Sequence, residues 1–214
     1  MAVETPLTWS VVIPVKVLAV AKSRLAGLAD ADRRALALAM AVDTVAAAVA
    51  CQRAGAVVVV TDDHDVAGEV TKLGAEVIAD RAGAGLNQAL IAGAEHAAVR
   101  WPGYGRAALL ADLPALTASE LTVALTEASA AKQTFVADAA GTGTTLYAAR
   151  PGSAFRPSFG PDSRGLHQQG GASELNLAGI AGLRQDVDTL ADLRAAAAIG
   201  LGRRSAAFMM ADRV

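Results

Sequence analysis

The sequence predicts an α/β fold: a mostly parallel sheet with helices packed on both faces. Two observations carry this. Short β-branched or aliphatic runs alternate with longer stretches of helical periodicity along most of the 214 residues, which is the pattern of a parallel sheet built from strand–helix units. The alternation breaks once, at 133–150, where two strand-like runs flank a glycine turn and read as a hairpin. Hydrophobic residues make up 53% of the chain, enough for a packed core and against disorder.

In order along the chain, Trp9 to Val15 reads as the first strand. Asp30 is placed to cap a long helix that runs to about Cys51, with Leu38, Val42, Val45 and Val49 at helical spacing. Ala56 to Thr61 is a second strand, and a helix follows from about His64 to Leu73. Ala75 to Asp80 is a third strand. Leu86 to Trp101 is helical, Arg106 to Asp112 is a fourth strand, and Thr117 with Glu120 forms a capping box for a helix to Ala131. After the hairpin, Phe155 to Gly171 is loop-rich, with a short helix opening at Ser163. Residues 183–189 read as a last short strand and Leu190 to Ala198 as a last helix. The chain is expected to be one domain over 1–214, with a C-terminal arm from about residue 203.

The net charge of −2 argues against a broad nucleic-acid or anionic-membrane surface. The apolar helix near Leu36–Cys51 is interrupted by Asp43 and does not read as membrane-spanning. Cys51 is the only cysteine, so no intramolecular disulfide forms. That fits a reducing cytoplasm, with Cys51 itself an apolar filler.

In open α/β sheets, ligands bind beyond the carboxyl ends of the strands, so polar residues there are the candidates. Lys16, Lys22 and Arg24 follow the first strand. They could hold a triphosphate by charge-assisted bonds or lie on a solvated loop. The loop lacks the glycines of a Walker loop or dinucleotide fingerprint. Asp112 ends the fourth strand; since Thr117 is the better cap for the next helix, a metal-ligand role is the stronger reading. Asp186 and Asp188 fall on one face of the last strand and repel unless a cation lies between them. Mg²⁺ with nucleotide phosphates would satisfy them, although Asp188 or Thr189 could instead cap the last helix. "GTGTT", with Thr144, and "FGPDS", with Gly160 and Ser163, are either ligand-facing backbone or an ordinary turn and loop. Asn87 could read a base or ribose, or serve the start of its helix. His64, His96 and His167 do not cluster by spacing and read as surface or loop residues.

Six motifs, "IPVKVLAVAKSRL", "GLNQAL", "ADLPAL", "GTGTT", "FGPDS" and "DVDT", occur in this order over about 180 residues. In them the chain resembles the guanylyltransferases that activate 2-phospho-L-lactate or phosphoenolpyruvate in making the deazaflavin coenzyme F-420. The resemblance implies a three-layer α/β/α nucleotidyltransferase fold, like that of nucleotide-diphospho-sugar transferases. It implies transfer of GMP from GTP to a small phosphorylated acid, with Mg²⁺ as cofactor. Asp112, Asp186 and Asp188 match the family's Mg²⁺-binding acids, and Thr144, Gly160 and Ser163 match its contacts to the acid. Lys16, Lys22 and Arg24 lie where related enzymes handle the triphosphate. Asp112 and Lys22 are thus the residues expected to carry catalysis, by positioning and charge neutralisation. A downstream enzyme of the same pathway is a candidate partner; nucleic acid and membrane are not. The alanine-rich composition and the family's actinobacterial members favour phosphoenolpyruvate as the acid. The competing readings are a guanylyltransferase for another phosphorylated acceptor, such as the molybdenum cofactor, and a nucleotide-binding module without turnover.

Overall fold

The computed structural model describes residues 6–16, 28–80 and 85–211. The apolar runs form strands β1 (Trp9–Pro14), β2 (Ala54–Val60), β3 (Glu76–Ile78), β4 (Gly105–Leu109), β5 (Gln133–Ala137), β6 (Thr144–Ala149) and β7 (Ser173–Glu174). They join one sheet in the order β3-β2-β1-β4-β6-β5-β7. Only β6 runs against its neighbours, β4 and β5; the other pairings are parallel. Every residue of β1 is buried, which is why it reads as an apolar run, interrupted only by the buried Ser10, rather than an alternating one.

The two faces of the sheet take alternate residues of the same strands. Val11, Ile13, Val57 and Val59 lie under α1 (Asp30–Val49), α2 (His64–Lys72) and α4 (Ala118–Glu127). Val12, Val58 and Val60 lie under α3 (Leu86–Arg100). Gly93 lets α3 approach closely, because a Cβ there would meet Val12 Cγ1 at 2.3 Å. The outcome is the three-layer α/β/α arrangement, with the β5–β6 hairpin inserted so that β6 separates β4 from β5.

The C-terminal part adds α5 (Ser163–Gln169), α6 (Ala181–Arg184), α7 (Leu190–Ile199) and α8 (Arg203–Met210). Helices α7 and α8 share a second small core with α1 through Leu36, Met40, Leu193 and Phe208. Asp43, the acid that interrupts the apolar stretch of α1, accepts the amides of Arg204 at 3.0 Å and Ser205 at 2.7 Å. It therefore caps α8 from another helix, serving donors that α8's own N-cap residue, Gly202, cannot. A Cβ on Gly202 would meet Asp43 Cγ at 2.5 Å.

Several local expectations change. Residues 183–189 are not a strand: they are the end of α6 and a loop before α7. β5 is already flanked by β6 and β7, and this segment's backbone bonds go to loops instead. The Val187 amide donates to Asp112 O at 3.1 Å, and the Ala139 amide donates to Arg184 O at 2.8 Å. Asp30 is not the cap of α1. It lies in the first turn and pairs with Arg33, where a carboxylate still favours the helix dipole. Ser163 likewise opens α5 without capping it, the N-cap being Asp162. His167 is buried at 2% exposure, whereas His64 is exposed and His96 half-buried. Thr117 and Glu120 do form the capping box of α4, and Thr189 with Asp192 forms one for α7. Among the described residues no helix is long and apolar enough to cross a membrane.

Candidate active site

The strands β1, β4 and β5 end at the same edge of the sheet. The antiparallel β6 brings its amino end there, with Thr144 beside Ala137 in the register. Over this edge lies a cleft of about 670 Å³, within the range of small-molecule sites. Lys16, Asp112, Thr144, Gly160, Ser163, Asp186 and Asp188 all line it, so one cavity brings together seven of the residues singled out in the sequence. Lys22 and Arg24 lie outside the described residues.

Each acid is held by its backbone. Thr44 of α1 lies against both sides of Asp112: its Oγ1 is 3.2 Å from Ala111 O and accepts the Leu113 amide at 3.2 Å. The Val187 amide donates to the Asp112 carbonyl, which docks the loop carrying Asp186 and Asp188 against the loop of Asp112.

A fourth acid, Asp138, also lines the cleft and was not singled out by the sequence reading. It is buried and accepts the Thr142 amide at 2.9 Å. Arg184 fixes the backbone there, donating to Ala137 O at 3.1 Å and Asp138 O at 2.8 Å. Gly143 leaves room for this side chain as it is placed, since a Cβ would meet Asp138 Oδ2 at 2.3 Å. A signal for Asp138 is present in the sequence. Three strand ends share two apolar residues followed by Ala-Asp: 77–80, 109–112 and 135–138.

Asp186 is pushed up to about 7, first by burial and then by the charges of Asp112, Asp138 and Asp188. Among the described residues, no group of three or more Asp, Glu, His or Cys side chains is drawn together tightly enough to hold a metal ion unaided.

The opposite wall is the hairpin turn and the loop before α5. Gly160 has φ +134° and Asp162 φ +57°, so the loop turns sharply in conformations that favour glycine. Asn87 grips it from α3. Its Nδ2 donates to Phe159 O at 2.9 Å and its Oδ1 accepts the Phe159 amide at 2.8 Å. Of the two roles open to this amide, contact with a base or ribose and service at the start of its helix, the structure shows it bonded to the loop from the first turn of α3. Arg164 joins the two parts of the wall: its amide donates to Thr142 O at 3.1 Å and its Nη1 to Gly141 O at 3.0 Å. Thr144 Oγ1 lies 3.0 Å from His167 Nδ1. The arrangement is thus a wall of four acids facing a wall that bears Thr144, Ser163 and a fifth acid, Asp162, with Lys16 at the rim.

A family model, guanylyl transferase CofC like, matches residues 9–179. The chain belongs to the CofC-like guanylyltransferase family. It is accordingly an enzyme of the nucleotidyltransferase class. It is 54% identical over 211 residues to a protein of Thermomonospora curvata, covering 97% of this chain and 92% of that one. It is 50% identical over 202 residues to one of Streptomyces coelicolor, covering 94% and 95%. Both relatives carry the name phosphoenolpyruvate guanylyltransferase. The fold matches a structure from Desulfovibrio desulfuricans G20 assigned as a nucleotide-diphospho-sugar transferase, at TM-score 0.69 and 16% identity over 95% of each chain. It also matches CMP:2-keto-3-deoxy-manno-octonic acid synthetase complexed with CTP, at TM-score 0.57 and 14% identity, covering 97% of this chain and 100% of that one. The chain thus has the fold of these nucleotidyltransferases, and the cleft lies at its strand ends.

Proposed function

We propose that this CofC-like enzyme transfers GMP from GTP to phosphoenolpyruvate and releases pyrophosphate, providing the activated acid for coenzyme F-420 biosynthesis in the cytoplasm. The observation that carries the reading is the near-full-length likeness, at 54% and 50% identity, to relatives named phosphoenolpyruvate guanylyltransferase. The cleft supports it chemically.

A phosphate oxygen of phosphoenolpyruvate would attack the α-phosphorus of GTP. The new P–O bond forms as the bond from that phosphorus to the α,β-bridging oxygen breaks, and the electron pair leaves with pyrophosphate. The attacking phosphate is already anionic, so no general base is needed. The chain's task is to align the two substrates and offset their charge. Thr144, Gly160 and Ser163 would hold the acid's phosphate and carboxylate. Lys16, with Lys22 and Arg24, would hold the triphosphate.

The donor set suits Mg²⁺. Asp186 is buried and lies beside the charges of Asp112, Asp138 and Asp188, a setting a cation would relieve, and magnesium takes few protein carboxylates and fills its shell with phosphate and water. That explains why the acids need not close on one another by themselves. Asp112, Asp186 and Asp188 would hold the ion, with Asp138 behind them. When bound, Mg²⁺ would neutralise charge on the nucleotide phosphates.

The test is pyrophosphate release with GTP and Mg²⁺, with and without each acid. Release is expected with phosphoenolpyruvate and not with GTP alone. Release with ATP or CTP but not GTP, or no stimulation by any phosphorylated small acid, would overturn the reading. A kcat/KM for 2-phospho-L-lactate tenfold or more above that for phosphoenolpyruvate would overturn the choice of acid.

A further inference from the structure

His167 is not among the residues that line the cleft, and it touches one that is, Thr144. Its ring is enclosed by aromatic side chains. Tyr147 stacks at 4.8 Å between centroids, Phe135 stacks at 5.6 Å, and Phe159 meets it edge-on at 5.4 Å. Inside this box the two ring nitrogens have named neighbours. The Ser158 amide donates to Nε2 at 2.9 Å, and Nδ1 lies 3.0 Å from Thr144 Oγ1.

These two contacts fix the tautomer of the ring, which also hydrogen-bonds the Ser163 backbone one turn earlier in its helix. A backbone amide can only donate, so Nε2 must present its lone pair. A neutral imidazole carries one proton, which must then be on Nδ1. Nδ1–H therefore faces Thr144 Oγ1, which can accept from it and cannot donate to it, with the Ser163 backbone as the ring's second acceptor. The reverse assignment, with Thr144 donating to Nδ1, would leave the ring with no proton at all. The hydroxyl's own hydrogen is consequently left to donate elsewhere, and Thr144 lines the cleft.

We infer that His167 is a positioning residue which, as its Nδ1–H tautomer, holds Thr144 Oγ1 as an acceptor and so aims the threonine hydrogen into the cleft as a donor for an anionic oxygen of the small acid. The effect is to turn a hydroxyl that could point either way into a one-way donor. A threonine without this constraint would divide its time between donating and accepting, and an acceptor facing an anion repels it. The aromatic box excludes water that could otherwise compete for the ring. Burial also holds the ring in its neutral form, pushing it down to about 4, which keeps Nε2 available to Ser158.

The inference rests on the proposed role of Thr144 in holding the acid, and the experiment separates the two. Imidazole ¹⁵N spectra of the wild-type protein at pH 7 should show His167 protonated at Nδ1; an Nε2–H tautomer would overturn the inference whatever the kinetics. Thr144→Val should raise KM for the acid about 10- to 100-fold, as for one hydrogen bond to a charged group, with KM for GTP unchanged. His167→Phe, which keeps the stacked ring and loses both nitrogens, should raise the same KM about tenfold and leave KM for GTP alone. His167→Asn, whose amide can replace the Nδ1 donor, should recover part of the loss. Thr144→Val and His167→Phe together should be no worse than Thr144→Val alone, within about twofold. Additive losses, or a His167→Phe effect spread equally over both substrates, would overturn the inference. If the wild-type enzyme makes no pyrophosphate with any phosphorylated acid, it is the proposed function that fails, and the spectrum still reports the tautomer.

Discussion

At the scale of single residues, the acids of the cleft have opposing effects on stability and on function. Asp186 is the clearest case. Its carboxyl is pushed up to about 7 by burial and by Asp112, Asp138 and Asp188. The unfolded chain would hold it near its ordinary carboxylate value, so the folded state binds more protons between roughly pH 4 and 7. Stability from this group is therefore present below that window and lost as pH rises through it. Asp186→Asn is expected to raise the melting temperature of the metal-free protein at pH 8, at about 2–4 °C per kcal/mol relieved for a chain of this size. The gain should shrink at pH 5. A lower melting temperature at pH 8 would show that Asp186 is not under repulsion. For Asp112, in its proposed role as Mg²⁺ ligand, Asp112→Asn should cut pyrophosphate release by roughly 10² to 10³-fold while far-ultraviolet circular dichroism stays unchanged. Turnover near wild type would remove Asp112 from that role.

At the scale of elements, the sequence shows clearly what periodicity can encode and little of what depends on tertiary partners. β1, β2 and β4 are visible because strands with both faces largely buried are mostly apolar, and the box of Thr117 and Glu120 is visible because capping is local. Residues 183–189 look like a strand by the same local logic, yet their backbone bonds go to Asp112 and Ala139, which no local pattern announces. His167 lies in a seven-residue helix, too short for its face to be read, so its burial among three aromatic rings is hidden. Asp138 was legible, through the repeated Ala-Asp ending of three strands, but only to a comparison of strand ends with one another. The brace of Asp112 by Thr44 of α1 is also tertiary. Thr44→Val keeps the shape but leaves the buried Leu113 amide without its acceptor, at a cost of about 1–3 kcal/mol. The melting temperature should fall by roughly 2–12 °C, with a larger fractional loss of pyrophosphate release than Asp43→Asn causes at the α8 cap. Equal losses in the two variants would argue that Thr44 supports the fold only.

At the scale of the whole molecule, two buried groups tilt the pH dependence in opposite directions. His167 is held down to about 4, so the unfolded chain binds more protons between about pH 4 and 6.5. Stability from His167 is present above that window and lost as pH falls through it. Asp186 acts in the opposite sense over much of the same range. Each contributes up to about 1.4 kcal/mol per pH unit, and their slopes largely cancel in the wild type. Relative to wild type, His167→Phe should make stability fall more steeply from pH 4 to 6.5, and Asp186→Asn should make it rise. Denaturant midpoints measured at half-unit steps would show this, and parallel curves for the three proteins would refute the pairing.

The hydrogen bond from the Val187 amide to the Asp112 carbonyl has a further consequence, for how the chain acquires its shape. The central strands β1, β2 and β4 come from the first half of the sequence and pair with one another, whereas the loop bearing Asp186 and Asp188 arrives from near the end. On a ribosome the N-terminal half is available to collapse first. The repelling carboxylates then meet only after the sheet is in place to hold them, and contacts so distant in sequence form late because closing a long loop costs entropy before it returns any contact. In pulse-labelled hydrogen exchange during refolding, the amides of Val12, Val58 and Ala108 should become protected before that of Val187. Protection of Val187 first would mean that the acidic loop nucleates the fold, and that the nascent chain meets its own repulsion at the outset.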